Sequence, residues 1–147
     1  MIRHATISDA SRVAEILIFT KRMNYRKIFQ NDKVSFGEMQ VYTLAKRYID
    51  NSDELEGIWV YEDEFVKGVM HIEGKEIVEL YVDIFFENQG IGSKLIKYAI
   101  EQLDCDFLWV LEKNIKAIHF YQRHDFLITE ERKYEEGTTE YIVKMKR

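Results

Sequence analysis

E-L-Y-V-D-I-F-F-E-N-Q-G-I-G-S-K-L-I-K-Y-A-I, Glu79 to Ile100, passes from an apolar strand through a turn built on Gly90 and Gly92 into an amphipathic helix. Leu95, Ile96, Ala99 and Ile100, with Leu103 beyond, share one face of that helix. Backbone amides at a helix start point outward unpaired, and the helix dipole adds partial positive charge there, so a glycine-rich turn of this kind suits a phosphate. A glycine pair also serves simply to turn a corner. Two tighter phosphate motifs are absent: G-x-G-x-x-G would need glycine where Leu95 stands, and the one Gly-Lys pair, Gly74-Lys75, lacks the P-loop's upstream spacing.

Outward from this turn, Ile2 to Thr6 reads as a first strand, and Thr6, Ser8 and Asp9 supply capping oxygens for a helix carrying Val13, Ile16, Leu17 and Thr20. Tyr25 to Phe36, with Asn31-Asp32 in its middle, reads as a loop, and Met39 to Tyr48 as a second helix ending near Asp50. Gly57–Tyr61, Phe65–Ile72 and Ile77–Ile84 are rich in β-branched and aromatic residues and separated by short polar breaks, the pattern of an antiparallel meander. Phe107 to Leu111 is a fully apolar run that suits a strand buried on both faces. Asn114 opens another helix, and strands near Phe126–Glu131 and Thr139–Met145 follow around Gly137. The order β-α-α-β-β-β-α-β-α-β-β predicts an α/β sandwich on a mixed sheet.

At 147 residues with no linker-like tract, the chain reads as one domain, 1–147. Arg3 and His4 stand where a signal peptide needs apolar residues, and no window approaches the roughly 20 apolar residues of a membrane span. A soluble, cytoplasmic protein without membrane association is expected. Cys105, the single cysteine, excludes an internal disulfide framework or a clustered-cysteine zinc site and reads as a small buried hydrophobe. The net charge of −5 disfavours a nucleic-acid partner, which would call for a basic groove interleaved with aromatics. Seven acids and no Lys or Arg lie between Asp50 and Glu64, and four basic residues and no acid between Lys21 and Lys27. The first cluster could form a rim attracting a cationic amine, the second could meet an anionic substrate, and either could be solvated surface.

L-Y-V-D-I-F-F-E-N-Q-G-I-G-S-K-L-I, Leu80 to Ile96, resembles the acyl-CoA motif of the GNAT superfamily of N-acetyltransferases, in which Q/R-x-x-G-x-G/A follows the fourth strand. N-I-K-A-I-H-F-Y-Q-R-H-D-F, Asn114 to Phe126, is similar to that superfamily's later motif N-x-x-A-x-x-F-Y-x-x-x-G-F, and the opening from Ile2 to Ile16 resembles the family's start. Only Asn24 to Leu55, the family's variable substrate-facing region, has no recognisable counterpart. The resemblance implies a mixed central sheet of about seven strands flanked by about four helices, acetyl-CoA as co-substrate, no metal, and a possible homodimer. It implies a primary amine as acceptor, on a small molecule or on a protein or peptide. It also implies a cofactor site: the turn Glu87, Asn88, Gln89, Gly90, Ile91, Gly92 and Ser93 at the pyrophosphate, Leu80, Tyr81 and Val82 beside the pantetheine arm in a gap between the fourth and fifth strands, and Asn114 and Tyr121 near the thiol. Glu87 stands where the family has Gln or Arg, so its side chain must turn away and the amides from Asn88 to Ser93 must do the holding. Phe85 takes the place of a common proline, and Asp125 that of the glycine before Phe126. Aspartate visits the left-handed region more readily than most residues.

Moving an acetyl group from a thioester to an amine needs a neutral amine, stabilisation of the oxyanion and a proton for the thiolate. An alkylamine of pKa ~10.4 is neutral in roughly one molecule in a thousand at pH 7, so a base or a water chain is useful. Tyr121 lies about two helical turns after Asn114 and shares its face, and because the resemblance places the thiol of CoA at that face, Tyr121 is the candidate acid. Aromatic packing is its rival role, and an ordinary N-cap that of Asn114. Glu79 and Glu76 are the candidate bases; the resemblance offers precedent for each and for water, with Glu79 slightly favoured. An odd separation points them to opposite faces unless a bulge intervenes. Tyr25 and His71 are candidates for the acceptor pocket. The alternative function is an acyl-CoA-binding or regulatory domain of the same fold with little transfer, which Glu87 keeps open.

Overall fold

The computed structural model describes residues 1–30, 32–33, 36 and 39–147. Strand β1 (Ile2–His4) pairs antiparallel with the edge of β2 (Ile58–Asp63), and β2, β3 (Phe65–Glu73) and β4 (Glu76–Val82) form the expected antiparallel meander. β4 then runs parallel to β5 (Phe107–Leu111), whose other neighbour is the antiparallel β7 (Tyr141–Lys146), with β6 (Leu127–Tyr134) outside it. The sheet order is therefore β1-β2-β3-β4-β5-β7-β6. With helices α1 (Ala10–Phe29), α2 (Val41–Asp50), α3 (Ile91–Glu101) and α4 (Ile115–Gln122), this is the seven-stranded mixed sheet with four helices that the sequence predicts.

Alternation along β3 divides the core between the two faces of the sheet. Val69 packs with Val13, Ile16 and Leu17 of α1 and Tyr48 of α2, whereas its neighbour Met70 packs with Leu95 and Ile96 of α3 and Ile118 of α4. Each fully buried Leu or Ile contributes about 1.5–3 kcal/mol relative to exposure. The start of α1 is anchored by Arg3, which donates two hydrogen bonds to the buried Asp9 carboxylate, at 2.8 and 3.0 Å, while Asp9 also accepts from the Thr6 amide at 2.8 Å.

Two local expectations change. The loop expected from Tyr25 is instead the end of α1, which continues to Phe29. Tyr25 lies one turn after Lys21 and hydrogen-bonds Tyr81 through its hydroxyl at 2.9 Å, a tertiary contact that outweighs the mixed local pattern. Asn31, also part of that expected loop, lies outside the described residues. The apolar β5 is not buried on both faces throughout: Leu108, Val110 and Leu111 are buried, whereas Phe107 and Trp109 are half-buried, with the ammonium groups of Lys144 and Lys133 4.6 and 4.3 Å from their ring centres.

The turn before β6 places Asp125 at φ 69°, in the left-handed region that favours glycine, and delivers Phe126 into the core with no exposed surface. Phe126→Ala is expected to lower unfolding free energy by about 3–5 kcal/mol, measured by urea denaturation followed by circular dichroism.

Candidate active site

β4 and β5 pair only at Glu76↔Phe107 and Ile77↔Leu108 and part thereafter. The register of β3 against β4 shifts at the same place: His71 faces Glu79 and Ile72 faces Ile77, leaving Val78 as one extra residue. This bulge resolves the parity problem of the two glutamates, because the extra residue brings Glu76 and Glu79 to the same side. Both line a cleft of about 840 Å³ that opens where the strands separate. Its walls are the free edge of β4, the end of β5, the start of α3, one face of α4, the end of α1 and the hairpin between β6 and β7.

One end of the cleft is built for an anion. Asn88 and Gly90 take positive φ, 62° and 82°, to bend the chain from β4 into α3. The first helical hydrogen bond runs from the Lys94 amide to the Gly90 carbonyl, and no side chain caps the helix, so the amides of Ile91, Gly92 and Ser93 have no helical partner. Gly92 packs toward Phe120 of α4, where a Cβ would sit at ordinary contact distance, 3.4 Å from the ring. Lys116 and Arg123 line the same end. Glu87 is partnered by Lys116 at 3.5 Å, which offsets the repulsion its charge would offer a pyrophosphate. His124, 3.3 Å from Ser93 Oγ, is held below its ordinary imidazole value by burial and then by the charges of Lys97 and Arg123, a sign of the positive field here.

The other end gathers phenols and a buried ion cluster. Tyr121 is buried yet lines the cleft, and burial, with a smaller effect from Tyr25, holds its hydroxyl well above the ordinary phenol value. The phenol is thus protonated throughout the neutral range and able to donate. Glu79 Oε2 lies 2.9 Å from Lys21 Nζ, within ion-pair range, but is buried without a directed hydrogen bond. Glu79 Oε1 lies 3.8 Å from His71 Nδ1, and His71 Nε2 lies 3.3 Å from Glu73. Burial pushes the Glu79 carboxyl up, but His71 and Lys21 outweigh it and hold the group below its usual value. The same contact with Glu79 raises His71.

Of the candidate residues, Tyr121, Glu79, Glu76, Leu80, Tyr81, Val82, Glu87, Asn88, Gly90, Ile91, Gly92, Ser93, Asn114 and Tyr25 all line the cleft. Asn114 is also the N-cap of α4, accepting from the Ala117 amide at 3.2 Å. Gln89 is not among the lining residues, and neither is His71. His71 lies on β3 behind Glu79, its ring beside Gly57, where a Cβ would come within 3.2 Å of it. The acidic run Asp50–Glu64 does not line the cleft either: Glu54, Glu62 and Asp63 are taken up by Arg47, Arg3 and Lys67. Sequence reasoning missed Glu135, Glu136 and Lys133 on the β6–β7 hairpin, and Thr20 and Asn24 on α1, all of which line the cleft. Helical spacing from Tyr25 could have found Lys21, one turn before it.

The parted strands and the uncapped helix start together give an extended groove with unpaired backbone amides at one end. The family model described as "Acetyltransferase (GNAT) domain" matches residues 54–127, and the chain belongs to this family of acetyl-CoA-dependent acyltransferases. Among solved structures it is similar to the apo form of YjaB from Escherichia coli (19% identity, 99% of this chain and 95% of that one, TM-score 0.76). It is also similar to the PaiA N-acetyltransferase from Thermoplasma acidophilum in complex with coenzyme A (19%, 100% and 98%, 0.68), and to yncA from Salmonella typhimurium with its cofactor acetyl-CoA (16%, 99% and 91%, 0.66). At these identities the likeness is one of fold. No curated protein matches the chain. Among the described residues, no helix is long and apolar enough to cross a membrane.

Because Glu79 raises His71 and is itself held low, the ion cluster contributes stability that is full between the ordinary carboxylate value, 4.5, and pH 6.5, and is lost as pH rises through the raised His71 value or falls through the lowered Glu79 value. An NMR titration is expected to give His71 a midpoint above 6.5, and Glu79→Gln to bring it down, since the contact that raises it most is then gone while burial still opposes the charge.

Proposed function

We propose that the chain, acting as a single domain, transfers an acetyl group from acetyl-CoA to a primary amine, with Tyr121 as general acid and Glu79 as base. The observation that carries this is the convergence on one cleft of a phenol kept protonated by burial and a carboxylate kept ionised by His71 and Lys21. The residues present fit acetyl-CoA: the α3 amides and Arg123 would take the phosphates, and the unpaired edge from Leu80 to Val82 the amide-bearing arm. When bound, acetyl-CoA supplies the thioester carbonyl to be attacked. Glu79 withdraws a proton from the incoming amine, and Tyr121 gives one to the departing sulfur. The parted strands hold the reacting groups in one place, away from bulk water.

Glu79, Glu135 and Glu136 on the acceptor side favour an amine that arrives as a cation. The PaiA relative is named an N-acetyltransferase, which supports nitrogen as the atom that receives the group.

Calorimetry with acetyl-CoA should give a micromolar Kd, about −8 kcal/mol. Gly90→Trp should abolish it, because position 90 needs a positive φ and opens onto free space where the indole would stand. In an amine screen, Tyr121→Phe should lower kcat by about 10²–10⁴ while leaving the KM for acetyl-CoA nearly unchanged. Full activity in that variant would return Tyr121 to a packing role, and binding without turnover on any amine would favour an acyl-CoA-binding domain.

A further inference from the structure

Lys21 leaves α1 one turn before Tyr25, so both side chains reach the cleft from the same face of the helix. Its ammonium stands 2.9 Å from Glu79 Oε2, a buried oxygen with no directed hydrogen bond. An acceptor amine approaching Glu79 would find that place occupied by a primary amine of the protein itself. The other two lysines of the cleft are held differently. Lys116 pairs with Glu87 at the anion end, and Lys133 lies over the Trp109 ring.

We propose that Lys21 is an internal acceptor and that the protein acetylates its own Lys21 side chain. This rests on the assignment of Glu79 as base and Tyr121 as acid. Glu79 takes one proton from the Lys21 ammonium, which frees the lone pair on Nζ. Nζ attacks the acetyl carbonyl carbon, the C–N bond forming as the C–S bond breaks, while Tyr121 donates its proton to the departing sulfur. Of the two protons that Nζ loses, the one on Glu79 passes to solvent and the other restores the Tyr121 hydroxyl, so lysine ammonium and thioester become amide, thiol and one free proton. The product is neutral and no longer pairs with Glu79, so the reaction stops after one acetyl and leaves His71 beside a carboxylate that has lost its lysine.

The test is to incubate the whole protein with acetyl-CoA and no added amine, and to follow intact mass and the acetylated peptides. One acetyl per chain is expected, on Lys21, at a rate at least about tenfold that of the exposed Lys46, because the amine is already held in the site. The rate should be independent of protein concentration. Lys21→Arg, which keeps the charge and the pairing, should take up no acetyl, and Glu79→Gln and Tyr121→Phe should slow labelling of Lys21 alone. The His71 NMR midpoint should rise after the reaction, since the Lys21 charge holds it down in the unmodified protein. Labelling of Lys21 no faster than Lys46, with acetyl-CoA shown by calorimetry to be bound, would overturn this inference and leave the transferase reading intact. A rate that scales with protein concentration would overturn it too, by assigning transfer to contact between molecules. Failure of acetyl-CoA to bind would overturn both.

Discussion

Parallel strands that begin side by side ordinarily remain hydrogen-bonded along their shared length, so the parting of β4 from β5 after Ile77 needs a cause. Val78 supplies it: one residue too many in β4 relative to β3 breaks the ladder and increases the local twist. The remainder of β4 turns away with its outer backbone groups unpaired toward β5. Each of the two parted strands is followed by a helix, α3 after β4 and α4 after β5, so both helix starts flank the opening. Ligands of open α/β sheets collect at such carboxyl ends. The cleft, the helix start facing it and the common side shared by Glu76 and Glu79 all depend on the same irregularity.

Its two ends differ in how charge is managed. At the α3 end nothing buried is charged; backbone dipoles and surface cations create a positive field, and salt screens such a field readily. At the Tyr121 end the charges of Lys21, Glu79 and His71 are confined together, and removing one partner would leave its mate in a poorly solvated place. The first arrangement tolerates variation in individual surface residues, whereas the second ties three strands and helices to one stoichiometry of charge.

The glycine turn, the meander and the helix faces were legible because each depends on local patterning: Gly90 on a positive φ, Leu95 and Ile96 on helical period, and Val69 and Met70 on alternation. Asn114 and Tyr121 were legible for the same reason, lying two turns apart on one helix. What could not be read depends on register between strands. A bulge at Val78 has no signature of its own, since valine is an ordinary strand residue, so the relation of Glu76 to Glu79 stayed open. His71 was assigned to the acceptor pocket because nothing in the sequence reveals that it stands behind Glu79. The hairpin residues Glu135 and Glu136 are far from the motif in sequence, and only the pairing of β6 with β7 brings them to the cleft.

The position of β7 has a consequence for how the molecule comes into being. β7 lies between β5 and β6, so Tyr141–Lys146 supply the inner neighbour of both strands. During synthesis, at about 5–20 residues per second, β5 emerges with one edge unsatisfied, and β6 has no partner at all until β7 arrives. The β5-β7-β6 part of the sheet therefore forms only after Lys146 has cleared the ribosome, while β1 to β4 can pair earlier. The apolar β5, Phe107–Leu111, spends that interval with its β7 edge unpaired, which is the kind of exposed strand edge that invites pairing with another chain.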